Sequence, residues 1–237
     1  MHLRKIKINS ASFPVRDRYP YNIAFLQNEM ELEFKTPVTF FVGENGCGKT
    51  TLLKAIAKKC DVHIWEFSDR ARYNYNPSED KLYLSVAAKW NDESVPGHYF
   101  AARDFEFFTK LLDEWAIDDP GQLNYFGGKS LVAQSHGQSL MSFFRSRYSI
   151  KGIYFLDEPE TALSPKTQLE LLGLLRQLSV DGHAQFIIAT HSPILMSLEG
   201  AVLYSFDHDT PQPIGYEDTS HYRVFHDFIM KKKGSSL

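Results

Sequence analysis

The octapeptide Gly43-Glu44-Asn45-Gly46-Cys47-Gly48-Lys49-Thr50 constrains this chain more than any other stretch. Two glycines separated by four residues and followed by lysine and a hydroxyl residue form a loop whose backbone N–H groups can curl around phosphate oxygens. Such a loop works only between a buried strand and a helix, because the helix N-terminus adds its positive dipole end to the cradle. Both flanks are present. Val38–Val42 is a continuous apolar run, and Lys49–Lys59 carries Leu52, Leu53, Ile56 and Ala57 on one helical face. A plain glycine turn needs neither Lys49 nor Thr50. In a phosphate cradle Lys49 holds β and γ phosphates and the Thr50 hydroxyl ligates Mg²⁺, with Gly43, Glu44, Asn45, Gly46, Cys47, Gly48 and Thr51 completing the contacts. Cys47 reads either as a reactive thiol beside Lys49 or as a small residue where serine would serve.

Apolar runs at 153–156 and 186–189 read as further buried strands, and 104–115, 138–147 and 167–178 read as helices. Ser164-Pro165 supplies an N-cap and a first-turn proline for the last of these. Buried strands alternating with amphipathic helices specify an α/β fold with a parallel sheet covered on both faces. The alternating segments 1–8 and 30–35 suggest a smaller antiparallel layer near the N-terminus; 82–84 reads as another short strand, and 61–100 is otherwise hard to read. With 237 residues, no repeats and no linker-like tract, one domain over 1–237 is expected, with a helical subregion at about 104–150. No apolar run is long enough to span a bilayer, and the first residues lack the apolar segment of a signal peptide. Two cysteines make no disulfide framework, so a cytoplasmic location is expected. A net charge of −3 gives no general attraction to nucleic acid; basic residues cluster only at Arg145, Arg147 and Lys151 and at Lys231, Lys232 and Lys233.

The strand at 153–156 ends in Asp157 and Glu158. Beside a phosphate loop this pair suits Mg²⁺ coordination by Asp157 and polarisation of the attacking water by Glu158. The next strand ends in Ala189-Thr190-His191-Ser192-Pro193, which puts His191 at the carboxyl edge of the sheet, where it can read a γ-phosphate.

These residues, in this order, resemble an ATP-binding-cassette type ATPase. The Walker A motif is 43–50, a signature-like segment is Gln134-Ser135-His136-Gly137-Gln138, the Walker B motif ends at Asp157-Glu158, the D-loop is 161–164, and His191 is the switch histidine. The resemblance covers about 30–206. It implies an ABC-ATPase-like P-loop NTPase fold, with a mixed sheet covered by helices and a helical signature subregion. It also implies ATP and Mg²⁺ as ligands, and an ATP-dependent homodimer in which Ser135 and Gly137 act in trans. The signature and Ser164 depart from the common pattern. Together with Glu-Pro-Glu and Ser192-Pro193 they resemble stand-alone AAA-domain ATPases of the RecF, OLD and SMC side. The stretch between Thr50 and Ser135 is too short for a long coiled-coil insertion. No clear counterpart of the Q-loop glutamine is present; 99–104 takes its place, with Asp104 as its candidate. An aromatic often stacks on the base in this family, which makes Tyr21 the candidate, with Tyr19 and Phe25 nearby.

Three functions fit this reading. The first is an ATPase that dimerises around nucleotide and acts on DNA or a partner protein in repair, maintenance or defence. The alternatives are the nucleotide-binding subunit of an ABC transporter and a slow ATP-sensing regulator. The segment 220–233 reads as an amphipathic helix packed on the domain.

Overall fold

The computed structural model describes residues 1–65, 76–180 and 182–234. Its main sheet has seven strands: β3 (Val38–Val42), β4 (His63–Ile64), β6 (Gly97–Ala101), β7 (Gly152–Asp157), β8 (Ala184–Ala189), β9 (Val202–Ser205) and β10 (Gln212–Ile214). The order is β10-β9-β3-β8-β7-β6-β4, parallel except for the antiparallel edge strand β10. A second, antiparallel sheet is β2-β1-β5, from β1 (Leu3–Ile8), β2 (Met30–Glu33) and β5 (Val86–Trp90). The helices are α1 (Lys49–Lys59), α2 (Ala102–Asp118), α3 (His136–Arg147), α4 (Pro165–Val180), the single turn α5 (Pro193–Met196) and α6 (Ser220–Gly234).

The unbroken apolar runs of β3, β7 and β8 reflect burial on both faces. Successive side chains alternate between two cores. Phe41, Ile153, Phe155, Ile187 and Ala189 pack toward α1 and the small sheet. Phe40, Val42, Tyr154, Leu156, Phe186 and Ile188 pack toward α2, α3 and α4. Helix α1 buries Leu52, Leu53, Ile56 and Ala57 completely, and each fully buried leucine or isoleucine contributes about 1.5–3 kcal/mol. The two sheets are tied together by Gln185, itself fully buried. Its Oε1 accepts from the N–H groups of His2 and Leu3, and its Nε2 donates to the Leu3 carbonyl, all at 2.8 Å.

The small layer has a third strand that the sequence did not indicate. The segment 82–84 is not a strand: Leu82–Ser85 forms a 3-10 turn, with Leu82 buried and Leu84 64% exposed, and the pairing strand is the following β5. Ser164 does cap α4, its hydroxyl accepting from the Thr167 N–H at 3.2 Å. Helices α2 and α3 form the helical subregion together with a 3-10 stretch at Pro120–Phe126. Among the described residues, no helix is long and apolar enough to cross a membrane.

Candidate functional site

Register brings the phosphate loop, the acid pair and the histidine to one edge. Phe41, Ala189 and Asp157 are neighbours across β3, β8 and β7, so the three chains leave the sheet side by side. Beyond β3, Gly43, Gly46 and Gly48 take φ values of 141°, 80° and 103°. A Cβ would also crowd its neighbours at two of these positions. A Cβ on Gly48 would sit 2.9 Å from Ile23 Cγ2, and one on Gly43 would sit 2.8 Å from Asp207 Oδ1. The loop opens into a cleft of about 820 Å³ lined by 44–51, Glu158, Tyr19, Phe25, Phe206 and Asp207, among others.

Lys49 is buried, and its Nζ donates to the carbonyls of Gly43 (2.7 Å) and Glu44 (2.8 Å). The Glu44 N–H donates to Asp207 Oδ1 at 2.7 Å, so a carboxylate already faces one amide of the loop. The Thr50 hydroxyl donates to Asp157 Oδ1 at 2.7 Å and the Tyr99 hydroxyl to Oδ2 at 3.0 Å. Burial pushes the Asp157 carboxyl above its ordinary range, while the two hydroxyls and Arg103 oppose the shift.

Glu158 has φ 48°, a left-handed conformation that costs a non-glycine residue about 1–3 kcal/mol. Its N–H donates to the Ala189 carbonyl at 2.9 Å, which holds the strained residue against β8 and its side chain at the cleft wall. The His191 N–H donates to Glu160 Oε1 at 2.6 Å. Burial raises the Glu160 carboxyl, and this backbone donor opposes the rise. The His191 ring is fixed between elements. Its Nε2 lies 3.8 Å from Glu158 Oε1, and its Nδ1 lies 2.8 Å from His221 Nε2 at the start of α6. Burial lowers the His191 pKa, Lys49 and His221 lower it further, and Glu158 and Glu44 oppose them.

The signature-like residues lie elsewhere. Ser135 is the N-cap of α3, and its N–H donates to Gln138 Oε1 at 3.2 Å. Ser135 and Gly137 line a separate cleft of about 410 Å³ with Lys129, Arg145, Thr167 and Glu170. Neither lines the phosphate cleft. Asp104 falls in the first turn of α2.

Tyr21 requires correction as the base contact. It is 1% exposed and packs on Phe13 with ring centroids 4.8 Å apart, so its ring belongs to the core. Of the aromatics lining the cleft, Phe25 and Phe206 are buried and Tyr19 is exposed, sharing a hydrogen bond with Thr51 Oγ1 at 2.9 Å. Sequence reasoning also passed over Tyr99, Glu160, Asp207 and His221. The Glu-Pro-Glu segment pointed to Glu160; the other three reach the site only through tertiary pairing.

A phosphate loop, an acid pair and a histidine on adjacent parallel strands define a P-loop nucleotide-binding domain. Comparison with known proteins refines the class. A family described as "AAA domain" matches residues 21–58, and one described as "AAA domain, putative AbiEii toxin, Type IV TA system" matches 139–197. The chain is 23% identical to the probable siderophore transport system ATP-binding protein YusV of Bacillus subtilis, over 72% of this chain and 68% of that protein. It is 27% identical to the energy-coupling factor transporter ATP-binding protein EcfA1 of Thermotoga maritima, over 79% of this chain and 73% of that one. Against the nisin transport ATP-binding protein NisT of Lactococcus lactis it is 24% identical over 78% of its length, and spans about a third (34%) of that protein. In fold it is similar to an SMC head bound to the C-winged helix domain of ScpA (TM-score 0.58, 14% identity, 90% of this chain and 98% of that one). The Thermotoga maritima SMC head domain is a second fold neighbour, with TM-score 0.50 at 15% identity over the same shares. The chain is thus a P-loop domain similar in sequence to ABC transporter ATP-binding proteins and similar in fold to SMC heads.

Proposed function

We propose that this protein binds ATP with Mg²⁺ and hydrolyses it, and that two copies close around nucleotide. Closure is coupled to a macromolecular partner, DNA or protein, in repair, maintenance or defence. The observation that carries the dimer is the separation of Ser135 and Gly137 from the phosphate loop into a second cleft. One chain therefore presents two half-sites, and a second chain supplies the complement of each. The SMC-head fold supports a macromolecular role, and the basic residues at 145–151 bear only weakly on DNA. Arg145 pairs with Glu170 and Arg147 lies over the Phe126 ring. The reading also includes one domain over 1–237 and a cytoplasmic location, the latter resting on the two free cysteines.

The residues fit the ligands. Thr50 and Asp157 offer a hydroxyl and a carboxylate, hard oxygen donors suited to Mg²⁺ that is otherwise held by phosphates and water. Mg²⁺ supplies charge neutralisation for the phosphates. Lys49 exchanges the Gly43 and Glu44 carbonyls for β and γ oxygens, and the first-turn N–H groups of α1 face the same anion. Glu158 takes the proton of the attacking water, His191 contacts the γ-phosphate, and Tyr19 replaces Tyr21 as the aromatic beside the base.

The transport ATP-binding relatives give a second reading, a nucleotide-binding subunit of a membrane complex. The test is the solution mass of Glu158→Gln with and without Mg·ATP, alongside turnover of the parent at low and high protein concentration. A mass that doubles only with ATP, loss of turnover by about 10²–10⁴-fold and parent turnover that rises with concentration support the proposal. A monomer throughout removes the homodimer, and undiminished turnover removes Glu158 from the base role. Co-purification with membranes favours the transport reading.

A further inference from the structure

The contact between His191 and His221 joins the sensing edge of the sheet to the C-terminal helix. Their ring nitrogens, Nδ1 of His191 and Nε2 of His221, are 2.8 Å apart, and the ring centroids are 5.0 Å apart. Burial lowers the pKa of both, so both are neutral near pH 7.5 and a single proton lies between the two nitrogens. Two neighbours decide which ring carries it. His191 Nε2 is buried, has no hydrogen-bond partner among the described residues, and faces the Glu158 carboxylate at 3.8 Å. A carboxylate only accepts, so the favoured hydrogen on His191 is on Nε2, which leaves Nδ1 as the acceptor. On the other ring, the Ser220 hydroxyl lies 3.4 Å from His221 Nδ1 and can donate to it, which leaves the hydrogen on His221 Nε2. Both ends give the same direction.

We infer that His221 is a positioning residue: its Nε2–H donates to His191 Nδ1, which fixes His191 as the Nε2–H tautomer and aims that N–H toward Glu158 at the wall of the phosphate cleft. The partner of an acting histidine sets which nitrogen is protonated. Here that partner comes from α6, a helix whose Phe225, Phe228 and Met230 are more than half exposed. The α6 helix therefore supplies a component of the site.

This inference rests on the proposed role of His191, and the test separates the two. The ¹⁵N shifts of the imidazole nitrogens, measured on nucleotide-free protein at pH 7.5, report tautomers without any turnover. In the parent, His191 reads as Nε2–H; in His221→Leu that state is lost or mixed; in His221→Gln, whose amide N–H can occupy the Nε2 position, it returns. Turnover at saturating Mg·ATP follows the same order. His221→Leu loses about 10–100-fold in kcat, as for other orienting partners of an acting histidine, with KM changed little, and His221→Gln recovers most of the loss. An unchanged His191 tautomer in folded His221→Leu overturns the inference, as does kcat within about threefold of the parent. If instead His191→Ala keeps full turnover, the role of His191 fails, while the tautomer result still decides what His221 does.

Discussion

Removing one hydroxyl tests how the buried acid is held. Asp157 is 5% exposed, and each of its oxygens accepts one hydroxyl donor, from Thr50 at 2.7 Å and from Tyr99 at 3.0 Å. Tyr99→Phe deletes the second donor and keeps the ring, which is 2% exposed and packed in the core. Water does not easily replace the donor at such a site, so the loss is that of a hydrogen bond to a charged group, about 1.5–3 kcal/mol. For a chain of this size each kcal/mol moves Tm by about 2–4 °C, so a loss near 2 kcal/mol lowers Tm by about 4–8 °C. The assay is urea and thermal unfolding at pH 7.5 without nucleotide, in the parent and in the Asp157→Asn background. In that background the charge is gone and the same Tyr99→Phe change costs about 1 kcal/mol or less. A Tyr99→Phe protein within about 0.5 kcal/mol of the parent, or an equal loss in both backgrounds, refutes the reasoning.

Two further outcomes follow from burial. His98 is 1% exposed and its Nε2 has no hydrogen-bond partner among the described residues; burial, reinforced by Arg147 and His63, holds its pKa well below the ordinary value. The unfolded chain thus takes up the proton first, so stability is full above about pH 6.5 and falls as pH drops toward the folded pKa, by about 1.4 kcal/mol per pH unit for this group. Urea unfolding at pH 7.5, 6.0 and 5.0 should show a slope shallower by that amount in His98→Phe, and parallel slopes would contradict the assignment. The second outcome concerns the thiols: Cys60 is buried and its pKa is pushed up to about 12, whereas Cys47 is half-buried in the cleft wall. Iodoacetamide at pH 7.5 should modify one thiol in the native protein, Cys47, with Mg·ATP protecting it, and two in urea; mass spectrometry of the peptides reads both.

What the sequence disclosed follows from how locally each feature is determined. Strands β3, β7 and β8 are legible because burial on both faces forces unbroken apolar runs, and α1 because its apolar residues recur at helical spacing. The phosphate loop is legible because φ and space leave little choice at Gly48. The segment 82–84 misleads because Leu-Tyr-Leu is an apolar run, yet Leu84 points to solvent and the Val86 N–H closes a turn on Tyr83. Strand β5 is hidden because its partner β1 lies at the other end of the N-terminal half. Tyr19 and Tyr21 are equivalent by pattern, and only packing against Phe13 decides which is buried. Asp207 and His221 carry no local signal, since Glu44 and His191 meet them only after folding.

The amide of Gln185 has a mechanical meaning. It clamps the first residues of β1 to β8, the strand whose far end delivers His191, with three hydrogen bonds at a site shut off from solvent. Each such bond contributes about 1 kcal/mol, and breaking the set strands buried polar groups at further cost. The two β layers therefore behave as one chassis that carries the phosphate loop, the acid pair and the histidine in fixed relation. Ser135 rides on α3, which packs on this frame through Leu140, Phe143 and Phe144, so its approach to a nucleotide held by another copy is an approach of whole subunits.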